Sequence, residues 1–125
     1  MVILDTSAVL AVLLEEPGAE NVIPHMREAQ LSIINYCEVL TKSAEQGGDL
    51  AVVERILNSY HLRVRAFRDG HALEVARLRP LTRHLGLGLG DRACLVQGKF
   101  SMMPILTADR KWAKLDLGID IRLIR

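Results

Sequence analysis

Residues 2–14 read Val2-Ile3-Leu4-Asp5-Thr6-Ser7-Ala8-Val9-Leu10-Ala11-Val12-Leu13-Leu14. Three apolar β-type residues meet an Asp-Thr-Ser break, and a helix apolar on nearly every side follows. Glu15-Glu16-Pro17-Gly18 ends that helix. A strand that hands over to a buried helix through an acid is the start of an α/β unit with a parallel sheet.

The same handover recurs along the chain. A helical stretch is expected from residue 19 to about 29, with Pro24 disturbing its first turns, and then a strand over residues 31–34. Asn35 is placed as N-cap of a helix carrying Glu38, Val39, Leu40 and Ala44. Gly47-Gly48 stops it, and Asp49 caps a second helix over residues 50–58, which gives a helical hairpin. Leu62 and Val64 alternate with charged neighbours as in an edge strand. Asp69 opens a helix with Ala72, Leu73, Val75, Ala76 and Leu78 as its inward stripe and Pro80 limiting or kinking it. Gly86-Leu-Gly-Leu-Gly90 leads into Asp91 and a helix to about Gln97. Residues 104–106 form a strand, 109–115 a helix, and 119–124 a last strand. The expected fold is α/β: one domain over residues 1–125, its mainly parallel sheet flanked by helices on both faces, with the residues beyond the strands' carboxyl ends facing one crevice.

Composition fits this plan. Half of the 125 residues are hydrophobic but only 4% are aromatic, so the core is expected to consist of Leu, Val, Ile and Ala. Sixteen basic and fifteen acidic residues give a net charge of +1, without the pI above about 9 of a globally basic nucleic-acid binder. Any polyanion must meet a local basic surface. The two cysteines, Cys37 and Cys94, form no C-x-x-C pair and read as small buried hydrophobes in a reducing cytosol. The start lacks a basic n-region, and the early apolar run over residues 8–14 is far shorter than the roughly 18 residues of a membrane span. A soluble cytoplasmic protein with no membrane partner is expected.

Asp5, Glu38 and Asp109 each follow the end of a strand, and Asp91 starts a helix. Each acid has a plain reading as a helix cap, and Asn35 with Glu38 resembles a capping box. Jointly they suggest one acidic site. Four carboxylates repel one another unless cations neutralise them, and Mg2+ or Mn2+ prefers hard oxygen ligands. Two such ions suit phosphodiester hydrolysis by activated water. His25, His61, His71 and His84 are scattered and form no ligand spacing. The glycines at 86–90 match neither G-x-G-x-x-G nor a P-loop, and are read as letting backbone pass close to the site. Ser7 and Thr107 are second-tier candidates, equally good as caps. Arg92, Arg110 and Lys111, directly after the acids, are candidate RNA phosphate contacts.

Ile3-Leu4-Asp5-Thr6-Ser7-Ala8, residues 32–40 with Asn35 and Glu38, Gly90-Asp91-Arg92-Ala93-Cys94-Leu95 and Leu106-Thr107-Ala108-Asp109-Arg110-Lys111-Trp112 resemble, in that order, the PIN-domain family and within it VapC-type toxins. The resemblance implies that Asp5, Glu38, Asp91 and Asp109 take the family's metal-binding and catalytic positions, with Thr107 assisting. It also implies a Mg2+- or Mn2+-dependent endoribonuclease, active as a homodimer and inhibited by a cognate VapB-like antitoxin. Residues 95–104 depart from the pattern, since relatives have a small-residue helix leading to a Gly-Pro turn there. Two other readings stand beside the nuclease: a non-catalytic metal- or partner-binding module, and a phosphotransfer domain with Asp5 as nucleophile. Enzymes of the latter kind carry a second Asp two positions later, where this chain has Ser7.

Overall fold

The computed structural model describes residues 1–125. The strands are β1 (Val2–Leu4), β2 (Ala29–Ser32), β3 (Arg63–Arg65), β4 (Ile105–Thr107) and β5 (Ile121–Leu123), and the helices are α1 (Thr6–Leu13), α2 (Ile33–Glu45), α3 (Leu50–Ser59), α4 (Asp69–Thr82) and α5 (Leu89–Ser101). All four strand pairings are parallel, in the order β3-β2-β1-β4-β5. Every residue of β1, β2 and β4 is buried, whereas β3 is exposed along its length, as an edge strand bearing Arg63 and Arg65 can be.

Side-chain alternation along the central strands builds two cores, one on each face. Val2, Leu4, Ala29 and Leu31 pack with Ala8 and Val9 of α1, Val39 of α2 and Leu57 of α3. Ile3, between Val2 and Leu4, points the other way and joins Ile105, Val75 and Leu78 of α4, Ala93 to Val96 of α5, and Trp112. From β1 the chain winds out through β2 to β3, then crosses to β4 and β5. The winding direction therefore reverses between β1 and β4, and crevices at such reversals are where open α/β sheets bind ligands.

Several boundaries differ from expectation. The strand expected over residues 31–34 is Ala29–Ser32, and Ile33 and Ile34 already belong to α2. Ser32, not Asn35, is the cap: its Oγ accepts from the Ile34 amide at 3.1 Å. The stretch around Pro24 forms 3₁₀ turns, Ala19–Asn21 and Ile23–Glu28, because proline has no N–H to give an α-helical ladder. The segment after Asp109 is likewise a 3₁₀ turn, Arg110–Lys114. In α4 only Val75 and Leu78 of the expected stripe are buried, while Ala72, Leu73 and Ala76 face outward, and the helix continues past Pro80 to Thr82. Cys37 is exposed on α2, in contrast to the expected burial, and Cys94 is buried. The edge strand at β3, the Asp49 cap of α3 and the α2–α3 hairpin stand where they were expected, whereas α5 begins at Leu89, two residues before Asp91, and runs past Gln97 to Ser101. In the stretch that departs from the family pattern, α5 ends on Met102 in the left-handed region, φ 53°, a place usually given to glycine.

Replacing Ser32 by Ala removes a half-sealed cap bond and is expected to cost about 1 kcal/mol of stability. Asn35→Ala is expected to cost more, because Asn35 ties three elements together rather than capping one. Denaturant titrations of the two variants measure the difference.

Candidate acidic site

Asp5 follows β1 directly and is 3% exposed. Its Oδ2 accepts from the Ser7 hydroxyl at 2.6 Å and from the Thr107 hydroxyl at 2.9 Å. Ser7 Oγ in turn accepts from the Ala108 amide at 2.9 Å, and Thr107 Oγ1 from the Asp109 amide at 3.0 Å. This lattice locks the loop after β1 to the loop after β4 across the sheet's reversal point. The other oxygen, Asp5 Oδ1, is sealed from solvent and has no hydrogen-bond partner. Burial is the main cause that pushes the Asp5 carboxyl up to about 6; the Ser7 and Thr107 hydroxyls pull against it, and the nearby Asp91 charge adds to it.

Glu38 reaches the same region from the first turns of α2. Its Oε1 accepts from the Thr6 hydroxyl at 2.6 Å and from Asn35 Nδ2 at 3.2 Å. Asn35, fully buried, also donates Nδ2 to Thr6 Oγ1 at 3.0 Å and to the Gly90 carbonyl at 3.1 Å, while its Oδ1 is sealed and unpartnered. Asn35 thus clamps α1, α2 and α5 together. A Cβ at Gly90 would overlap the Glu38 carboxylate, so the glycine lets α5 approach the acid as the glycine run suggested.

Asp91 lies in the first turn of α5, where its Oδ2 accepts from the Gly88 amide at 2.9 Å. Its carboxyl is raised, first by burial and then by the charges of Glu38 and Asp109; the Gly88 bond and the Lys111 ammonium oppose the shift. Asp109 Oδ1 caps the following 3₁₀ turn through the Lys111 amide at 3.0 Å. The capping reading therefore holds for both acids. It occupies only one oxygen of each, and neither excludes a further role.

The structure brings Asp91 within electrostatic reach of Asp5, Glu38 and Asp109. They do not stand as a closed group of three ready to coordinate an ion. Beneath them Cys94 Sγ donates to the Leu4 carbonyl at 3.8 Å, its thiol pushed well up by burial and by the charges of Asp5, Asp91 and Glu38. No histidine takes part in these hydrogen bonds. Of the three basic candidates, Arg92 is occupied within the fold, donating to the Gly88 and Val75 carbonyls at 3.2 and 3.0 Å. Lys111 Nζ reaches the Leu85 carbonyl at 3.3 Å, and Arg110 is exposed. Thr6 and Asn35 are the site residues that sequence reading gave other work. Their signal was the polar break after β1 and an Asn one helical turn before Glu38.

A parallel sheet whose reversal point gathers four acids and two hydroxyls defines an α/β/α domain with an acidic crevice. The model of the PIN domain matches residues 2–117, and the chain belongs to the PIN domain family. Solved structures share the fold at low identity. A toxin–antitoxin complex from Klebsiella pneumoniae superposes with a TM-score of 0.79 at 13% identity, covering 100% of this chain and 98% of that one. DNA-bound VapBC from Salmonella typhimurium gives 0.74 at 19%, covering 99% and 98%. FitAcB from Neisseria gonorrhoeae gives 0.73 at 17%, covering 97% and 96%. No curated protein sequence matches the chain.

The raised Asp5 carboxyl has a stability consequence. With a folded value about 6 against an ordinary 3.8, the native state favours the proton. Its contribution is complete below about 4 and is lost as pH rises through 6, worth up to about 3 kcal/mol. Without metal, the protein is expected to melt lower at pH 7.5 than at pH 5. Asp5→Asn should flatten that trend and raise the melting temperature at pH 7.5 by several °C. Calorimetry in EDTA across this range checks both.

Proposed function

We propose that this PIN domain is a divalent-metal-dependent endoribonuclease, the VapC-like toxin of a toxin–antitoxin pair, with residues 1–125 acting as one nuclease unit. The observation that carries the reading is Asp5 Oδ1: a sealed carboxylate oxygen without a donor, beside three more acids, is a position that a cation satisfies. The donor set fits, since every candidate ligand is a hard carboxylate oxygen and no thiolate or imidazole competes. Asp5 and Asp91 would hold Mg2+ or Mn2+, with Glu38 and Asp109 completing the acidic ring. The bound ion would supply the Lewis acidity that activates water and offsets charge on the departing oxygen.

The protein's own groups prepare that site. Ser7 and Thr107 hold Asp5 Oδ2 and so leave Oδ1 as the free oxygen. Thr6 and Asn35 fix the Glu38 carboxylate by its Oε1. Gly88 steadies Asp91 by one oxygen only. Exposed Arg110 and Lys111 would meet RNA phosphates, whereas Arg92 is engaged in joining α5 to α4. Hydrolysis by water leaves a 5′-phosphate and a 3′-hydroxyl. The phosphotransfer reading finds no second acid at position 7, where the Ser7 hydroxyl instead donates to Asp5. The non-catalytic module shares the same ligands and is separated by experiment.

The antitoxin partner is supported by a groove of about 370 Å³ along α2. Ile34, Cys37, Thr41, Lys42, Glu45 and Leu89 line it, and it opens onto Glu38 and Gly90. A VapB-like segment lying there would cover Glu38. The family resemblance supports a homodimer in the cytoplasm as the working form. No helix is long and apolar enough to cross a membrane.

Purified protein freed of antitoxin is expected to cleave RNA with Mg2+ or Mn2+ and not in EDTA, and Asp91→Asn is expected to lose at least a hundredfold in rate with its fold intact. Ends bearing 2′,3′-cyclic phosphate, or cutting by Asp91→Asn at the wild-type rate, would overturn the assignment. The groove makes a separate prediction. Cys37 is the one exposed thiol and Cys94 is buried, so a single thiol per chain should react with a chromogenic disulfide, and antitoxin binding should suppress that reaction.

A further inference from the structure

A second hollow, of about 220 Å³, lies further along α5, near its C-terminal end, and no acid lines it. Its walls are Arg65, Arg68, His71 and Ser101, and its floor holds Gln30 and Gln97. Both glutamines are almost fully buried, at 2% and 5% exposure, among mainly apolar neighbours on β2 and α5. Gln30, in the middle of β2, lies on the face that carries Ile3 and Ile105. Burying two primary amides there is costly unless each finds partners.

They satisfy each other only in part. Gln97 Nε2 donates to Gln30 Oε1 at 3.2 Å, which leaves one amide N–H2 and one carbonyl. Neither leftover group is among the sealed, unpartnered atoms of the fold, so each keeps some access to solvent, and both residues line the hollow. Turning the two amides over leaves the same pair of functions.

The rim is basic. Arg65 and Arg68 make no ion pair within the chain, unlike Arg77 and Lys99, which share Glu74. His71 Nδ1 accepts from the Arg68 amide at 3.1 Å, which leaves Nε2–H as the donor of the neutral ring. The ring is held between Phe67 and Phe100, with centroids 5.8 and 5.3 Å away. The nearest acids do not compete: Asp69 is outside the lining, and Glu74 is taken. Two free guanidinia and a fixed N–H form a phosphate grip. An adjacent donor and acceptor match a sugar hydroxyl, which both gives and receives hydrogen bonds.

We propose that this hollow binds the phosphate and ribose of a ribonucleotide, with Arg65 and Arg68 on the phosphate, His71 beside them and the Gln30–Gln97 pair on the sugar hydroxyl. The ribonucleotide comes either from an RNA strand or from a free ribonucleoside phosphate. Gln97 lies six residues beyond Asp91 on α5, about 9 Å along the helix at 1.5 Å per residue. The site is therefore separate from the acids but close enough for one RNA to touch both. This inference goes beyond the nuclease reading and does not need it, because binding is read without metal and without cleavage.

The test is nuclear magnetic resonance of the isotope-labelled full chain in EDTA, titrated with inorganic phosphate, a ribonucleoside 5′-monophosphate, its deoxy counterpart and a short oligoribonucleotide. Phosphate is expected to move the Gln30 and Gln97 side-chain amide signals and the His71 ring signals. The ribonucleotide should bind more tightly than its deoxy counterpart. Arg65→Ala with Arg68→Ala should weaken binding on the order of tenfold without lowering the melting temperature, while the exposed control pair Arg27→Ala with Arg83→Ala should not weaken it. If the oligoribonucleotide moves the same signals and loses affinity in the Arg65/Arg68 variant, the strand is the source. If only phosphate and the monophosphate do so, the source is a free ribonucleotide. Unmoved signals with all four probes, or an equal loss in the control pair, would overturn the proposal.

Discussion

A carboxylate oxygen with no donor, Asp5 Oδ1, is the constraint on which the rest of this structure turns. Asp5 ends the central strand of the sheet, so its side chain cannot retreat to solvent without pulling β1 from between β2 and β4. The fold answers with two hydroxyls on one oxygen and none on the other. Those hydroxyls belong to Ser7 and Thr107, one from each side of the sheet's reversal point. The bonds that position the acid therefore also close the crevice in which it stands.

The second tier of that arrangement is neutral. Asn35 donates to Thr6, Glu38 and the Gly90 carbonyl, and it does so from a fully buried position where a charged clamp would carry a larger desolvation cost. Its reach requires α5 to pass very close to α2, and Gly90 permits this because a methyl group there would meet the Glu38 carboxylate. A glycine, an asparagine and a threonine thus set the distance between the helices that bear Glu38 and Asp91.

Much of this was legible in the sequence because strand-to-helix handovers leave a strong local mark: a short apolar run, a polar break, an apolar period. The parallel sheet and the two-faced core follow from that mark, and it also singled out the acids that stand in reach of Asp91. What local marks could not separate was the cap from the hub. Ser32 and Asn35 are both good N-caps, and only the pairing of β2 with β3, Ser32 opposite Arg65, settles that the helix starts at Ile33. Cys37 looked buried because cysteine usually is, but its exposure depends on which face of α2 meets the sheet. Gln30 and Gln97 carry no pattern at all in sequence, since their partnership spans 67 residues.

Whether the helix-capping and functional readings of these acids compete is a question of electrostatics, and the structure removes the conflict. A helix N-terminus offers unpaired N–H groups and a positive dipole end, so Asp91 at Gly88 and Asp109 at Lys111 have a stabilising partner in the absence of any ion. Asp5 stands at the N-terminus of α1 but makes no side-chain cap bond there, and burial outweighs the donors around it and holds its proton to about pH 6. The crevice can then exist unloaded without carrying four full charges, two of its acids being capped and one being partly neutral near that pH. Capping accordingly gives two acids of the crevice partners within the fold, and the single unpartnered oxygen of Asp5 is the part of the arrangement that capping leaves unsatisfied.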